Sequence, residues 1–175
     1  MRVDTGGVVH VRRAVPGDAM EVARIHVRSW QSGYRGVLSQ DYLDALRPED
    51  RASRYTFDSV NSDGPFTLVA VNGAVVTGLV TVGWLRDGDL PDAGEVWAIY
   101  VDPPRWNEGI GQTLMFEGTT WLRRRGYATA ALWVLSANAR ARRFYERGGW
   151  VLDGCERIDA VGDCLVPEVR YQRPI

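Results

Sequence analysis

The chain has no lysine, because all 21 of its basic residues are arginine. A Walker-type phosphate loop and a Schiff-base enzyme both require a lysine amine, so both classes are excluded. The sequence holds only two histidines and two cysteines. Two histidines argue against a multi-histidine site, and we predict no bound metal. Two cysteines are too few for a disulfide framework and indicate a reducing compartment.

Long apolar runs and a strong net charge are also missing. No segment reaches the roughly 18 apolar residues that a membrane span needs, and the first residues lack the apolar stretch of a signal peptide. The net charge is −1, whereas binding to nucleic acid or a membrane surface favours a basic excess. We therefore expect a cytoplasmic protein without nucleic-acid or membrane partners. In the absence of repeats and linkers, residues 1–175 are predicted to form a single domain.

Hydrophobic periodicity predicts helices and strands in a mixed order. Strands are predicted over residues 8–14, 66–71, 74–84, 95–101, 130–135, 150–156 and 166–172. Helices are predicted over residues 19–34, 39–46, 49–59, 109–125 and 138–147. Asn72-Gly73 joins two β-branched runs, which is a strong hairpin signal. The fold class is therefore α/β (α+β), with a mixed, mostly antiparallel sheet of about seven strands and helices on both faces.

The segment from Val101 to Leu114 places two prolines and then two glycines between a strand and an amphipathic helix. The first turn of a helix leaves backbone N–H groups unpaired and carries partial positive charge, which suits a pyrophosphate. Gly109 and Gly111 let the backbone approach phosphate oxygens closely. Taken alone, this pattern is weak evidence, and a turn before a helix is the better interpretation of it. The dinucleotide fingerprint is not met, because its third glycine is replaced by Leu114.

A second segment, residues 136–150, follows a predicted strand and contains Asn138, the pair Phe144-Tyr145 and a Gly-Gly-Trp ending. Together the two segments resemble motifs A and B of the GNAT family of acyl-CoA-dependent N-acetyltransferases. The chain departs from motif A at Trp106, where the family has Gln or Arg, and at Asn107, where it has a small residue. Arg105 is the candidate to replace the Gln or Arg side chain of position 106 in contacting the phosphate.

The resemblance implies a binding site for acetyl-CoA. The backbone of Ile99, Tyr100 and Val101 would pair with the pantetheine arm as an added strand. The pyrophosphate would be held by Trp106, Asn107, Glu108, Gly109, Ile110, Gly111 and Gln112. Asn138 would hydrogen-bond the coenzyme, and a plain helix N-cap is its alternative role. The strands around Ile99 and Leu135 would splay apart to admit the coenzyme.

Two residues are candidates for catalysis. Tyr145 matches the family's proton donor to the leaving thiolate and would also contact the coenzyme, with core packing beside Phe144 as the alternative. Glu95 begins the strand that leads to the coenzyme and is the candidate base, acting through water, with a solvated strand end as the alternative. A backbone N–H in residues 99–101 would stabilise the negative charge that develops on the thioester oxygen.

The acceptor is less well defined by the sequence. Trp30, Tyr34, Trp84 and Trp97 are the candidate aromatic acceptor site, which favours a cationic or hydrophobic amine. Core packing is the alternative for at least half of them, and His26 is interpreted as a structural residue.

The function expected is transfer of an acetyl group from acetyl-CoA to a primary amine of a small molecule or peptide, by direct attack in a ternary complex. A non-catalytic acyl-CoA-binding domain and a different nucleotide-binding enzyme stay open as alternatives. Relatives within the family are commonly dimers, so a homodimer is one expectation.

Overall fold

The computed structural model describes residues 9–57, 64–162 and 164–175, and its centre is a seven-stranded sheet. The strands are β1 (His10–Arg13), β2 (Phe66–Asn72), β3 (Val75–Trp84), β4 (Ala93–Val101), β5 (Thr129–Leu135), β6 (Val151–Val161) and β7 (Cys164–Pro174). Their order is β1-β2-β3-β4-β5-β7-β6, and only β4 and β5 run parallel. This confirms the predicted mixed, mostly antiparallel sheet. The first residue of the predicted strand 8–14 lies outside the described residues.

The described part of the chain contains five helices. They are α1 (Ala19–Gly33), α2 (Gln40–Ala45), α3 (Pro48–Ala52), α4 (Ile110–Arg124) and α5 (Ala139–Arg147). They pack on the sheet or, as α3 does, on another helix. Short 3₁₀ turns at Pro16–Asp18 and Pro103–Arg105 lead into α1 and towards α4. Among the residues that the structure describes, no helix combines the length and apolar character needed to cross a membrane.

The two faces of the sheet carry different helices because strand side chains alternate between faces. On one face, Val80 and Val82 pack with Leu114 and Leu122 of α4. On the other face, Leu79 and Val69 pack with residues of α1. Helix α5 lies on the α4 face, where Tyr145 joins the same core. A gap between β4 and β5 would therefore face α4 and α5 on one side of the sheet and α1 on the other.

Helix α4 lies unusually close to the sheet at Gly118. A Cβ atom at this position would stand 3.1 Å from Val82 and 3.2 Å from Val80. These are tighter than ordinary van der Waals contacts, so a larger residue would push the helix outward. The glycine therefore sets how closely the middle of α4 approaches β3.

The prediction of a helix over residues 49–59 is wrong in its extent. Helix α3 ends at Ala52, and residues 58 and 59 lie outside the described part of the chain. The helix stops because the chain turns back onto α1, where the Tyr55 hydroxyl lies 2.7 Å from Nδ1 of His26. Phe57 then adopts a left-handed backbone with φ 50° and stacks on Tyr55.

Candidate active site

Strands β4 and β5 pair over only three residues and then separate. The paired residues are Ala93 with Thr129, Gly94 with Ala130, and Glu95 with Ala131. Immediately beyond, β4 contains a bulge: Thr81 of β3 pairs with Ala98 and Val82 pairs with Val96, which leaves Trp97 as an extra residue. A bulge bends its strand and increases the local twist, so β4 turns away from β5 at this point. The expected opening between the two strands is present.

The backbone of β4 offers hydrogen-bonding groups to this gap. The N–H of Asp102 donates to the Thr77 carbonyl at 2.9 Å. Because backbone groups alternate in an antiparallel pair, Ile99 and Val101 point theirs away from β3 and into the gap. The carbonyl of Val101 already accepts from the Ser29 hydroxyl at 3.1 Å and from the Trp106 indole at 2.8 Å. Ile99 thus offers both its N–H and its C=O, and Val101 offers its N–H.

The same alternation corrects one sequence prediction. Tyr100 directs its backbone N–H and C=O towards β3, where it stands opposite Leu79, so its backbone is not available to an added strand. Its side chain lies on the α1 face, and the Trp30 indole donates to its hydroxyl at 3.0 Å. Tyr100 therefore offers no backbone group to the gap, and its hydroxyl lies beside Trp30 on the α1 face.

The loop before α4 presents backbone amides to solvent. Asn107 and Gly109 both have left-handed backbones, with φ 68° and 83°, and residues 107–109 are exposed. Asparagine tolerates this conformation better than most residues other than glycine, which explains why Asn107 can replace a small residue here. No side chain caps α4, so the N–H groups of Ile110, Gly111 and Gln112 have no intrahelical partners. Such a helix start is a ready anion-binding site.

The side chains of Arg105 and Glu108, in the same loop, pair with each other and are not available to a phosphate. Arg105 donates to Glu108 at 2.7 Å, so the guanidinium expected to replace a Gln or Arg side chain at position 106 is already paired. The expected contribution of Glu108 to the site is therefore limited to its backbone. Its carboxylate would repel a phosphate and is instead neutralised by Arg105.

Gly111 lies where α5 meets the start of α4. A Cβ atom here would stand 3.3 Å from the Phe144 ring and 3.8 Å from the Val101 side chain. A β-branched residue would displace Phe144 and with it the first turn of α5. The glycine is therefore needed for packing as well as for access to the backbone amides.

Asn138 has the N-cap role that stood as its alternative. Its side-chain oxygen accepts from the N–H of Ala141 at 3.1 Å, and this contact fixes the start of α5. The Asn138 side chain also offsets part of the rise in the pKa of Tyr34 that burial causes. A contact with coenzyme stays a prediction.

Three tyrosine side chains, those of Tyr34, Tyr100 and Tyr145, influence one another electrostatically around the gap. Burial is the main cause that raises the pKa of each of these phenols, so all three stay protonated at neutral pH. Tyr145 also packs against Trp150 and Tyr171, with ring centroids 6.3 and 6.1 Å away. Tyr145 is therefore a core residue with a neutral phenol, and its role as proton donor stays a prediction.

The four aromatic residues expected to form one acceptor site form two separate pairs. Trp30 and Tyr34 meet edge to face at 5.0 Å, beside Tyr100. Trp84 and Trp97 form another edge-to-face pair at 4.9 Å. The Trp97 side chain lies over Gly83, which stands opposite Glu95 at the closed end of the gap. No ring contact joins the two pairs, all four of whose members are described. Trp97 and Tyr100 are three residues apart along β4, which is about 10 Å, so the two pairs lie at different points along the strand.

His26 is structural, in agreement with the interpretation of the sequence. It is 6% exposed, its ring lies 4.5 Å from that of Tyr100, and Nδ1 bonds the Tyr55 hydroxyl. Burial, with smaller contributions from Arg51 and Arg54, lowers the pKa of His26 to about 3. The imidazole is therefore neutral in the folded protein.

The surroundings of Glu95 give no support to its expected role as a base. The residue is fully buried, and both carboxylate oxygens accept from Arg86, one of them from the Arg86 backbone N–H at 3.0 Å. Glu95 also stands opposite Ala131, at the closed end of the gap. Its contacts hold the loop after β3 against the sheet, and a catalytic role stays an untested prediction.

A carboxylate that the sequence analysis missed lies at the open end. Glu168 on β7 is 7% exposed and pairs in register with Leu135. Leu135 lies four residues beyond Ala131, the partner of Glu95. Along β5, Glu168 is therefore about 13 Å further along the sheet than Glu95. Arg157 donates to its Oε2 at 2.8 Å, and its charge contributes to the raised pKa of Tyr34 and of Tyr100.

Comparison with known proteins agrees with this geometry. A model of the acetyltransferase (GNAT) family matches residues 24–150. An uncharacterized N-acetyltransferase of Bacillus subtilis is 29% identical over 131 residues, which are 75% of this chain and 74% of that protein. A spermidine N(1)-acetyltransferase of Thermoplasma acidophilum is 22% identical over 154 residues, which are 87% and 89% of the two chains.

Solved structures show the same fold. The crystal structure of PaiA N-acetyltransferase from Thermoplasma acidophilum, in complex with coenzyme A, matches with a TM-score of 0.76 at 18% identity. The match covers 96% of this chain and 99% of that one. The opened sheet, the uncapped α4 and the family match together define the class: the chain belongs to the GNAT acetyltransferase family. It is an acyl-CoA-dependent acyltransferase whose acyl donor is acetyl-CoA.

Proposed function

We propose that the protein transfers the acetyl group of acetyl-CoA to a primary amine by direct attack within a ternary complex. The observation that carries this proposal is the end of β4–β5 pairing at Glu95 and Ala131. The resulting gap has unpaired amides of α4 on one side and the side chains of Trp30 and Tyr34 on the other. A donor and an acceptor can therefore approach the same point from opposite faces of the sheet.

The donor side fits coenzyme A. The N–H groups of residues 110–112 and the exposed loop residues 107–109 would hold the diphosphate. The N–H and C=O of Ile99, with the N–H of Val101, would pair with the pantetheine amides. Asn138 would orient this arm from the start of α5. Acetyl-CoA supplies a thioester whose carbonyl carbon accepts the amine nitrogen while the C–S bond breaks.

The tyrosine cluster supplies hydrogen-bond donors at this point. Tyr145 reaches the gap from α5, and its raised pKa keeps the phenol in the form that can donate a proton towards the leaving sulfur. The N–H of Ile99 would stabilise negative charge on the thioester oxygen. Neither Cys155 nor Cys164 belongs to the cluster, since Cys155 lies beside Arg170 and Cys164 packs with the core under α2. No cysteine is therefore placed to carry the acetyl group, which favours direct attack.

The acceptor side fits an amine with an apolar neighbour. Trp30 and Tyr34 would form the wall, and the Tyr100 hydroxyl would lie at its base. Trp84 and Trp97 lie at the closed end and are not part of this wall. Glu168, at the open end of the gap, is the carboxylate that would receive the proton of the acceptor's ammonium group through Oε1, since Arg157 holds Oε2. A relative named as a spermidine acetyltransferase supports the choice of a primary amine.

The test is an acceptor panel of polyamines, aminoglycosides, amino acid amides and peptides. We expect thiol release that depends on one amine class, an acetylated product by mass spectrometry, and initial-rate lines that intersect. Parallel lines, together with an acetylated protein, would contradict direct attack. Tight binding of coenzyme A without thiol release for any acceptor would favour a non-catalytic domain. A cytoplasmic location and a homodimer stay predictions, which cell fractionation and light scattering test.

A further inference from the structure

The phosphate site lacks the side-chain cation or amide that the GNAT resemblance leads one to expect at position 106. This chain has Trp106 there. Arg105, the neighbouring candidate, is engaged by Glu108 at 2.7 Å. A diphosphate held by backbone amides alone would keep much of its charge unbalanced, so a cation from elsewhere in the chain would strengthen binding.

Arg140 supplies a guanidinium at this place from a different helix. Its Cζ lies 3.3 Å from the centroid of the Trp106 ring, which is the geometry of a stacked cation–π contact. The indole cannot turn freely, because its Nε1 donates to the Val101 carbonyl at 2.8 Å. The ring is therefore a fixed platform, and stacking on it restricts where the guanidinium can lie.

The geometry of α5 sets Arg140 beside the first turn of α4. Phe144 contacts Gly111 in that turn, and Arg140 precedes Phe144 by four residues. Residues at this spacing share one face of a helix, about 5–6 Å apart. One face of α5 therefore touches Gly111 at one turn and Trp106 at the previous turn. The guanidinium therefore lies on the Trp106 ring, at the start of the loop that leads into α4.

Arg140 forms no ion pair with a carboxylate among residues 9–57, 64–162 and 164–175. Its neighbour Arg142, by contrast, donates to the Tyr171 hydroxyl and to the Ser136 carbonyl. Partial desolvation lowers the pKa of Arg140, which its neighbours Tyr145 and Tyr34 partly offset. A stacked cation without an anion, next to free amides, is prepared for an anionic ligand.

We propose that Arg140, positioned by Trp106, is the cation that binds the diphosphate of the coenzyme. The tryptophan thereby replaces the usual side chain at position 106 indirectly, by recruiting an arginine from α5. This inference rests on the proposed coenzyme site and adds to it a ligand-binding residue that no local motif contains. It also predicts that the two residues act as one unit.

The experiment measures the affinity for 3′-dephospho-CoA by calorimetry, because this ligand keeps the diphosphate and lacks the 3′-phosphate. We expect Arg140→Ala to weaken binding about 10- to 30-fold, as for loss of one charge-assisted hydrogen bond. Arg147→Ala, on the exposed last turn of α5, is the matched control and should stay within twofold. The affinity for coenzyme A itself should fall by the same factor in Arg140→Ala.

The coupling is tested with Trp106→Ala and the double variant. We expect Trp106→Ala to lose at least half of the binding free energy that Arg140→Ala loses. The double variant should bind like Arg140→Ala alone. Additive losses, or unchanged affinity in Arg140→Ala, would overturn the proposal. A loss seen with coenzyme A but not with 3′-dephospho-CoA would assign Arg140 to the 3′-phosphate and also overturn it. If the unaltered protein bound neither ligand, the proposed coenzyme site itself would fail.

Discussion

The two sides of the β4–β5 gap use different parts of the chain. On the side of α4 and α5, the proposed binding groups are mainly backbone amides, those of residues 107–112 and of Ile99, joined by the Arg140 guanidinium. On the α1 side the proposed binding groups are side chains, those of Trp30, Tyr34 and Glu168. Backbone amides are the same whatever residue carries them, provided that the conformation is kept. The donor side therefore tolerates Trp106 and Asn107, whereas the acceptor side changes its chemistry with each substitution.

This difference explains why a donor is easier to assign than an acceptor. The donor loop requires glycine or asparagine at particular positions, and these can be recognised in the sequence. Asn107 and Gly109 have left-handed backbones, and Gly111 is closely packed. The acceptor wall is brought together from α1, β4 and β7, which are far apart in the chain. The predictions below change one side at a time, so that the two contributions can be separated.

Removal of the Tyr145 hydroxyl should have the largest effect. We expect Tyr145→Phe to lower kcat about 100-fold or more while the affinity for coenzyme A stays within twofold, because only proton donation is lost. Tyr171→Phe is the control: its ring lies 6.1 Å from that of Tyr145, but its hydroxyl donates to Glu146 instead. Equal turnover in Tyr145→Phe and the unaltered protein would show that Tyr145 only packs.

A side chain at position 111 should disrupt the donor side. Gly111→Val would press on Phe144, whose ring is 3.3 Å from the added Cβ. We expect coenzyme A to bind about 100-fold more weakly, through the displaced start of α5. Gly17→Val adds the same side chain where nothing lies within 4 Å and should leave affinity unchanged. Calorimetry measures both, and normal affinity in Gly111→Val would remove the phosphate site from this loop.

The two buried carboxylates, Glu168 and Glu95, should have different functions, the first in catalysis and the second in stability. We expect Glu168→Gln to lower kcat/KM for the amine about 50-fold, as for a lost hydrogen bond to a charged group, and to shift the alkaline rise of the pH–rate profile. Glu95→Gln should leave that profile in place and instead lower the free energy of unfolding by about 1–3 kcal/mol, because the Arg86 pair is broken. A shifted profile in Glu95→Gln with a normal one in Glu168→Gln would reverse the assignment and restore Glu95 as the base.

The buried imidazole on the acceptor side should make stability depend on pH. Because the pKa of His26 is lowered to about 3 in the folded state, the unfolded chain binds the extra proton below its own value of about 6.5. The contribution of His26 to the free energy of unfolding is therefore fully present above about pH 6.5 and is lost as the pH falls towards 3. The loss is about 2 kcal/mol at pH 5. His26→Gln cannot titrate in this range and should lose that part of the dependence. Urea unfolding at pH 7.5 and 5.0 measures it, and an identical pH dependence in both proteins would contradict the argument.

Local sequence signals predicted most of the fold correctly. The hairpin at Asn72-Gly73, the cap at Gly126 after α4 and the apolar face of Ile110, Leu114 and Leu122 all reflect short-range preferences. The helix over 49–59 was overextended because its end depends on Tyr55 reaching His26, which is 29 residues away. Periodicity carries no information about such a contact.

The buried charges could not be predicted for the same reason. Glu168 and Arg170 alternate with apolar residues in β7, a pattern typical of a strand with one solvated face. Both are buried, at 7% and 3% exposure. Arg170 bonds Asp153 at 2.6 Å and Asp89 at 2.7 Å, and these partners come from β6 and from the loop after β3. A charged residue can be buried when distant carboxylates satisfy it, and the strand's own sequence does not show them.

A crystal structure of the protein with coenzyme A bound tests the central claim most directly. We predict that the pantetheine arm lies between β4 and β5 beyond Glu95, hydrogen-bonded to the backbone of Ile99. The diphosphate should contact the amides of residues 107–112 with the Arg140 guanidinium beside it. Coenzyme bound elsewhere, or strands β4 and β5 paired along their whole length, would contradict the account.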